Sequence, residues 1–470
     1  MADHWTQLPQ DLLQLIANKL ATVYSDYVRF RAVCPQWGSS VPRVPRHLPP
    51  QFPWLMLPLS ESHLQNHRSF YGLSTDQTHH IYLPQASRPE LRVDSSNGWL
   101  VIFDNCKSSA ILVLNPVTLD KHHLPPLSSF PNIMSVGNES YTIRKANDSP
   151  IIRKPIEVYQ LSYQQMRDLF IRKILFVQVN KDNFVAVAII NKTGELAYCK
   201  KGDKRWAFMD SHGRSWRDVA YYNRKFYAVN LDGSRVGEYD VLNVNGRFST
   251  VSVVIILVPG EVTSFSNYCH SVYLVNSGDD LLLVVRLLDH QFPREGNALI
   301  RTVYFDVYRF SLIRLRTGHW DKVKDLGDRL LFVGENSCVS LSLSLSAADV
   351  RGCLENPRYD GCLNNCIYFM DDSRVRCRVR CHDIGVQVRG CSLQDHRDGG
   401  CSKNCNYFMD DSGVRHYGVV GSKRPPPYDG DDDDGAFDWD SNRGIFKLTE
   451  GIIHLPCRTH PHALWITPTP

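Results

Sequence analysis

From about residue 50 to residue 345 the chain is a succession of short apolar runs cut by turn residues, and this rhythm limits its fold more than any other feature. The runs include Trp99-Leu100-Val101-Ile102-Phe103, Ile111-Leu112-Val113-Leu114, Ile174–Val179, Phe184–Ile190, Lys225–Val229, Val272–Val275, Leu281–Arg286 and Thr302–Phe310. Between them stand Asn115-Pro116, Lys192-Thr193-Gly194, Asp232-Gly233, Asn245-Gly246 and Ser277-Gly278-Asp279-Asp280. Runs of four to eight residues bounded by such turns read as strands of a sandwich, barrel or propeller. About 300 residues is too long for one ordinary sandwich and fits six or seven propeller blades of about 40–50 residues each. No clean blade repeat shows in the sequence, so the expectation is mainly β with a large propeller-like domain.

The first 40 residues follow a different period. Leu8, Leu12, Leu13, Ile16 and Leu20 recur at spacings of three and four, the mark of one helix face. Pro9 sits where a first-turn proline costs no hydrogen bond. A second amphipathic stretch, Tyr27–Cys34, is closed by Pro35 and followed by Trp37. A unit this small holds its own core poorly and leans on another surface. Pro42, Pro45, Pro49, Pro50, Pro53 and Pro58 then break the chain, which reads as a stiff connector. The expected domains are a helical unit at 4–42, a proline-rich linker at 43–70 and a β domain at 71–470.

The tail carries a duplication. Residues 361–373 (GCLNNCIYFMDDS) recur at 400–412 (GCSKNCNYFMDDS), identical at ten of 13 positions. Only one copy can occupy a given strand, and the first is favoured because it keeps Ile367 where the second has Asn406. The copies bring in the pairs Cys362/Cys366, Cys377/Cys381 and Cys401/Cys405, whose spacing zinc tolerates. Duplication of a strand motif explains them more simply. The acidic stretch within 423–440 lacks the first and twelfth carboxylates of a calcium loop and reads as a solvated insertion. No metal and no cofactor is expected.

Chemistry-bearing motifs are missing. There is no phosphate-binding G-x-x-x-x-G-K-[ST], no G-x-G-x-x-G, no G-x-S-x-G and no H-E-x-x-H. His79-His80 and His122-His123 are adjacent pairs that a strand points to opposite faces. With 53 basic against 49 acidic residues the net charge of +4 does not call for nucleic acid. The apolar runs, among them Phe184–Ile190, Val253–Val258 and Leu281–Val285, fall far short of the about 20 residues of a membrane span. The N-terminus shows no basic and apolar leader, and 14 cysteines are then expected as free thiols in the nucleus and/or cytoplasm.

Two resemblances give this framework a function. Leu8-Pro9, the stripe Leu12, Leu13, Ile16 and Leu20, then Asp26, Arg29-Phe30-Arg31, Val33-Cys34 and Trp37 closely resemble the F-box motif. His270–Arg286 (HSVYLVNSGDDLLLVVR) is similar to the "YLVES-DLLLV-R" signature of a large plant F-box family with a C-terminal β-propeller. Gly98-Trp99-Leu100, Leu114-Asn115-Pro116, Phe305-Asp306-Val307-Tyr308, Leu326–Gly334, Asn365–Asp372, Gly444-Ile445-Phe446 and Trp465-Ile466-Thr467 follow in that family's order. The resemblance implies a non-catalytic subunit of a Skp–cullin–F-box ubiquitin ligase. Leu8, Pro9, Leu12, Leu13, Ile16, Leu20, Val33, Cys34 and Trp37 would bind a Skp-type adaptor, and through it a cullin–RING ligase. The propeller would hold a target protein, whose identity the residues do not encode, near a ubiquitin-loaded conjugating enzyme. The alternative is a propeller scaffold with a vestigial F-box.

Overall fold

The structure is a computed structural model. It describes residues 8–342 apart from 22, 46–47, 58, 60–65, 73–76, 105–109, 145–157, 192, 210–214, 242–251, 258–269, 292–298 and 315–316. Beyond 342 it describes 365–369, 405–410, 413–418, 444–447, 452–454 and 464–469.

Three helices open the chain: α1 (Gln10–Leu20), α2 (Tyr24–Arg31) and α3 (Pro35–Ser40). Pro9 stands immediately before α1 and its carbonyl accepts from the Leu13 N–H at 3.1 Å. Leu13, Ala17, Tyr24, Tyr27 and Phe30 close a small core, with the Trp37 ring tilted against Phe30 at 4.7 Å between ring centres.

The rest is a ring of six mostly antiparallel blades among the described residues, with two neighbouring blades, the fourth and fifth, bridged at Leu257 and Thr317. Blade 1 holds Trp54–Met56, His67–Gly72 and Gln77–Tyr82, and blade 2 runs from Arg92–Ser96 to Lys121–Leu124. Blade 3 runs from Ile171–Asn180 to Ala207–Phe208, blade 4 from Trp216–Tyr222 to Ser252–Leu257, and blade 5 from His270–Ser277 to Thr317–Val323. Blade 6 orders Val339–Ser342, Arg329–Val333, Cys366–Phe369, Gly444–Lys447 and Ile452–His454 side by side. A three-stranded sheet, Ile133–Val136, Ser140–Arg144 and Val158–Ser162, is inserted between blades 2 and 3.

Each pair of neighbouring blades encloses its own apolar cluster, so the core is six wedges around an axis. A strand packed between two such wedges is covered on both faces. This is why Trp99–Phe103 and Leu281–Val285 are continuous apolar runs with no polar alternation.

The ring closes by pairing the two ends of the chain. Trp54–Met56 lies antiparallel to Leu464–Ile466, with Trp54 opposite Ile466 and Met56 opposite Leu464. Trp465 then packs edge-on against Phe332 of blade 6 at 5.0 Å, beside Phe52. The proline-rich stretch 43–70 is therefore no free linker. Phe52 and Trp54–Met56 are buried in blade 1, and His67–Gly72 is its next strand. The prolines mislead because Pro53 falls just ahead of a strand, where a missing N–H removes no ladder bond.

The first copy of the duplicated segment occupies the blade. Cys366–Phe369 runs parallel to Arg329–Val333 and antiparallel to Gly444–Lys447, and Ile367 is fully buried between blades 5 and 6. In the second copy Cys405–Asp410 pairs only with Gly413–Gly418, as a separate hairpin. Cys362, Cys377, Cys381, Cys401 and the acidic stretch 423–440 lie outside the described residues.

Candidate interaction surfaces

Helix α1 is two-faced. Turning about 100° per residue, it sends Leu12 and Leu15 along one side and Leu13, Ala17 and Leu20 along another. Leu12 and Leu15 are 48% and 55% exposed, whereas Leu13 is fully buried in the helical core. Leu13 therefore supports the fold of the unit and presents nothing to a partner, which corrects the expectation of a single contact stripe. Pro9 and Val33 are exposed, and Leu8, Ile16, Leu20, Cys34 and Trp37 are partly covered. Leu15 went unnoticed in the sequence although it stands seven residues after Leu8 and three after Leu12, both same-face spacings. An exposed apolar stripe on a helix whose opposite face is already closed is a surface built for a partner's groove.

The helical unit is seated firmly on blades 1 and 2. The Tyr24 N–H donates to the Gln51 side-chain oxygen at 2.7 Å, a buried bond that ties α2 to the entrance of blade 1. Arg43 reaches Asp120 at 3.2 Å, and Val117 of the Asn115–Asp120 turn packs into the helical core. Arg29 donates to Asp26 at 3.0 Å and meets the His79 ring nitrogen at 2.9 Å. A cleft of about 260 Å³ opens at this joint, lined among others by Asp26, Arg29, Trp54, Gln77, His79 and Pro468. Burial, and then the neighbouring Arg29 charge, hold the His79 imidazole below the ordinary histidine range.

The joint lies at one end of the ring axis. The inner strands Arg92–Ser96, Ile171–Asn180, Trp216–Tyr222 and His270–Ser277 line up side by side in the same sense. Arg92 bonds the Ile171 carbonyl at their starts, and Ser96 accepts from the Phe176 N–H further along. The helical unit sits where these strands end, because Thr469 and Pro468, just past the closing strand, meet Asn115 and the joint cleft. The described contacts of the N-terminal helical unit all lie at this end and none at the opposite mouth, where the strands begin.

Just inside that mouth the inner strands are stitched by buried ion pairs. Lys173 of blade 3 meets Asp218 of blade 4 at 2.6 Å, and Asp218 also accepts from the Leu274 N–H of blade 5 at 2.6 Å. Arg217 reaches across to Glu335 of blade 6 at 2.8 Å. Among the described residues no three His, Cys, Asp or Glu side chains converge as a metal site.

A helical adaptor-type unit seated on a closed six-bladed ring defines an F-box/β-propeller protein. The chain matches the F-box domain over residues 5–48 and the KIB1-4 beta-propeller over residues 70–388. It belongs to that propeller family. Similar Arabidopsis thaliana proteins include F-box protein At2g17036, 24% identical over 74% of this chain and 80% of its own length, and F-box protein SKIP23, 25% identical over 72% and 80%. Putative F-box protein At1g65770 is 27% identical over 80% of this chain and 91% of its own. Among solved structures the N-terminal domain of Nup159 overlaps 60% of this chain and 66% of its own with a TM-score of 0.30 and 12% identity, too weak a likeness to bear on fold or function.

Proposed function

We propose that this chain is the target-recognition subunit of a Skp–cullin–F-box ubiquitin ligase, acting in the nucleus and/or cytoplasm. The observation that carries the reading is the exposed pair Leu12 and Leu15 on α1, with exposed Val33 after α2, on a unit whose inner core is already satisfied. Such a stripe fits an apolar groove on a Skp-type adaptor, which connects to the cullin–RING module. The chain supplies position and no bond chemistry. Holding a target lysine near a ubiquitin thioester raises its effective concentration, and that alone accelerates transfer. The firm joint matters for this role, because a helical unit free to swing would dilute the lysine over a larger volume.

Co-purification with a Skp-type adaptor tests the reading. The wild-type chain should bind, and Leu12→Asp or Leu15→Asp should abolish binding while leaving the thermal unfolding of the propeller unchanged. Absence of adaptor binding by folded wild-type chain would reject the ligase role and leave a propeller scaffold.

A further inference from the structure

Among the described residues the charges at this mouth do not balance. Arg172, Lys173 and Arg217 bring three cations, while Asp218 and Glu335 bring two carboxylates. Lys173 is answered by Asp218, and Arg217 by Glu335. Arg172 pairs with neither carboxylate, and its one hydrogen bond among the described residues is long, 3.4 Å from a guanidinium nitrogen to the Trp216 carbonyl. Five N–H donors in a rigid fork are thus almost unspent.

The position of Arg172 is unusual in a second way. It is the extra residue of a bulge, since Ile171 pairs with Ile190 and Lys173 with Ile189, leaving no partner for Arg172 in the ladder. A bulge re-aims a side chain at the rim of a sheet. Arg172 lies within electrostatic reach of Arg217 and Asp218 on blade 4 and of Glu335 on blade 6, so groups of two other blades face it. Burial, with Arg217 adding repulsion, pulls its pKa down to about 10, yet it remains charged at neutral pH. Next to Glu335 in the chain, Asn336 is only 4% exposed, and both polar atoms of its amide are without a partner. A partly desolvated guanidinium with unspent donors gains from a charge-assisted bond to an anion.

We propose that Arg172, at the open mouth of the propeller axis, receives one anionic group, a carboxylate or a phosphate, carried by an acidic segment of the target protein. The mouth faces away from the helical unit, so a segment seated there leaves the adaptor surface free. This deepens the target-receptor reading and rests on it for the owner of the anion. The anion site itself is independent of whether an adaptor binds.

The test uses the full-length chain and inorganic phosphate, followed by phosphorus NMR line broadening. Arg172→Gln should weaken phosphate binding at least tenfold, the loss of about 1.4 kcal/mol or more expected for one charge-assisted contact. Arg172→Lys should keep part of it, and Arg235→Gln, at an exposed position on blade 4, should keep all of it. Equal phosphate binding by wild type and Arg172→Gln overturns the site, as does no binding by either. Displacement of phosphate by a glutamate-rich peptide assigns the anion to a carboxylate segment, and displacement only by a phosphoserine peptide assigns it to a phosphorylated one. Displacement by neither peptide, or only by a mixed-sequence single-stranded oligonucleotide, overturns the assignment to a target protein. Failure of adaptor binding in the separate co-purification leaves these results standing, so the two readings fail independently.

Discussion

Lys173 and Asp218 meet at 2.6 Å with 5% of each side chain exposed. Burial alone would push the lysine pKa down, but Asp218 foremost, with Cys338 and Glu335 behind it, holds the ammonium above the ordinary lysine value. A folded-state value above the unfolded one contributes stability that is complete below the ordinary lysine pKa and fades only as pH rises past it. Removing one partner strands the other charge in a closed space. Asp218→Asn should cost about 3–5 kcal/mol in chemical denaturation, and it also weakens two backbone N–H bonds, from Val219 and Leu274. A loss within experimental error would show that the pair is idle. In the helical unit, adjacent leucines part company: Leu13→Asp should unfold the helices, whereas Leu12→Asp should leave their circular dichroism intact. At Gly98, which adopts φ +83°, an added Cβ would fall 2.2 Å from the Thr469 hydroxyl and 2.6 Å from the Thr467 carbonyl. Gly98→Val is therefore expected to loosen the closing strand, seen as a lower thermal midpoint.

The closing strand Leu464–Ile466 is only three residues long, yet it pairs the end of the ring to its start. Trp465→Ala removes the ring that packs on Phe332, and should cost about 3–5 kcal/mol as a buried tryptophan truncation does. A cost close to zero would mean the ring holds without its seam. The second copy of the duplicated segment forms its own hairpin, Cys405–Asp410 with Gly413–Gly418. Excising 400–420 merely shortens a long connection, a change worth less than about 1 kcal/mol, so the melting midpoint should stay where it is. The seating of α2 on blade 1 is pH-dependent. Because the seated His79 has a lowered pKa, the contact is at full strength above the ordinary histidine value and weakens as pH falls below it. Hydrogen exchange of α2 amides should quicken between about pH 7 and about pH 5, and His79→Phe should flatten that response.

Much of this element-level architecture was legible, because turn pairs such as Asp232-Gly233 and apolar runs such as Leu281–Val285 report local chemistry. The span 43–70 was misread because proline counting says nothing of what a segment packs against. Leu13 was misread for a related reason: a spacing of three and four does not tell which part of a wide apolar arc faces inward.

In the whole molecule the two proposed surfaces sit at opposite ends of one axis, the α1 stripe beyond the strand ends and the Arg172 mouth at the strand starts. Ligands at the two ends should therefore bind without coupling, and phosphate titrations with and without bound adaptor should give the same dissociation constant. A shift of tenfold or more would reveal a connection through the ring that static geometry lacks. The sequence by itself determined the helical unit, the run of strands, the turns between them and the preference of blade 6 for the copy carrying Ile367, all of which rest on neighbours within a few residues. Only the tertiary structure decided the number of blades, the seam between Trp54–Met56 and Leu464–Ile466, the burial of Leu13 and the unanswered charge of Arg172. Those depend on which distant strands pair and which side chains the ring axis brings together, and no local pattern encodes a contact between the two ends of a chain.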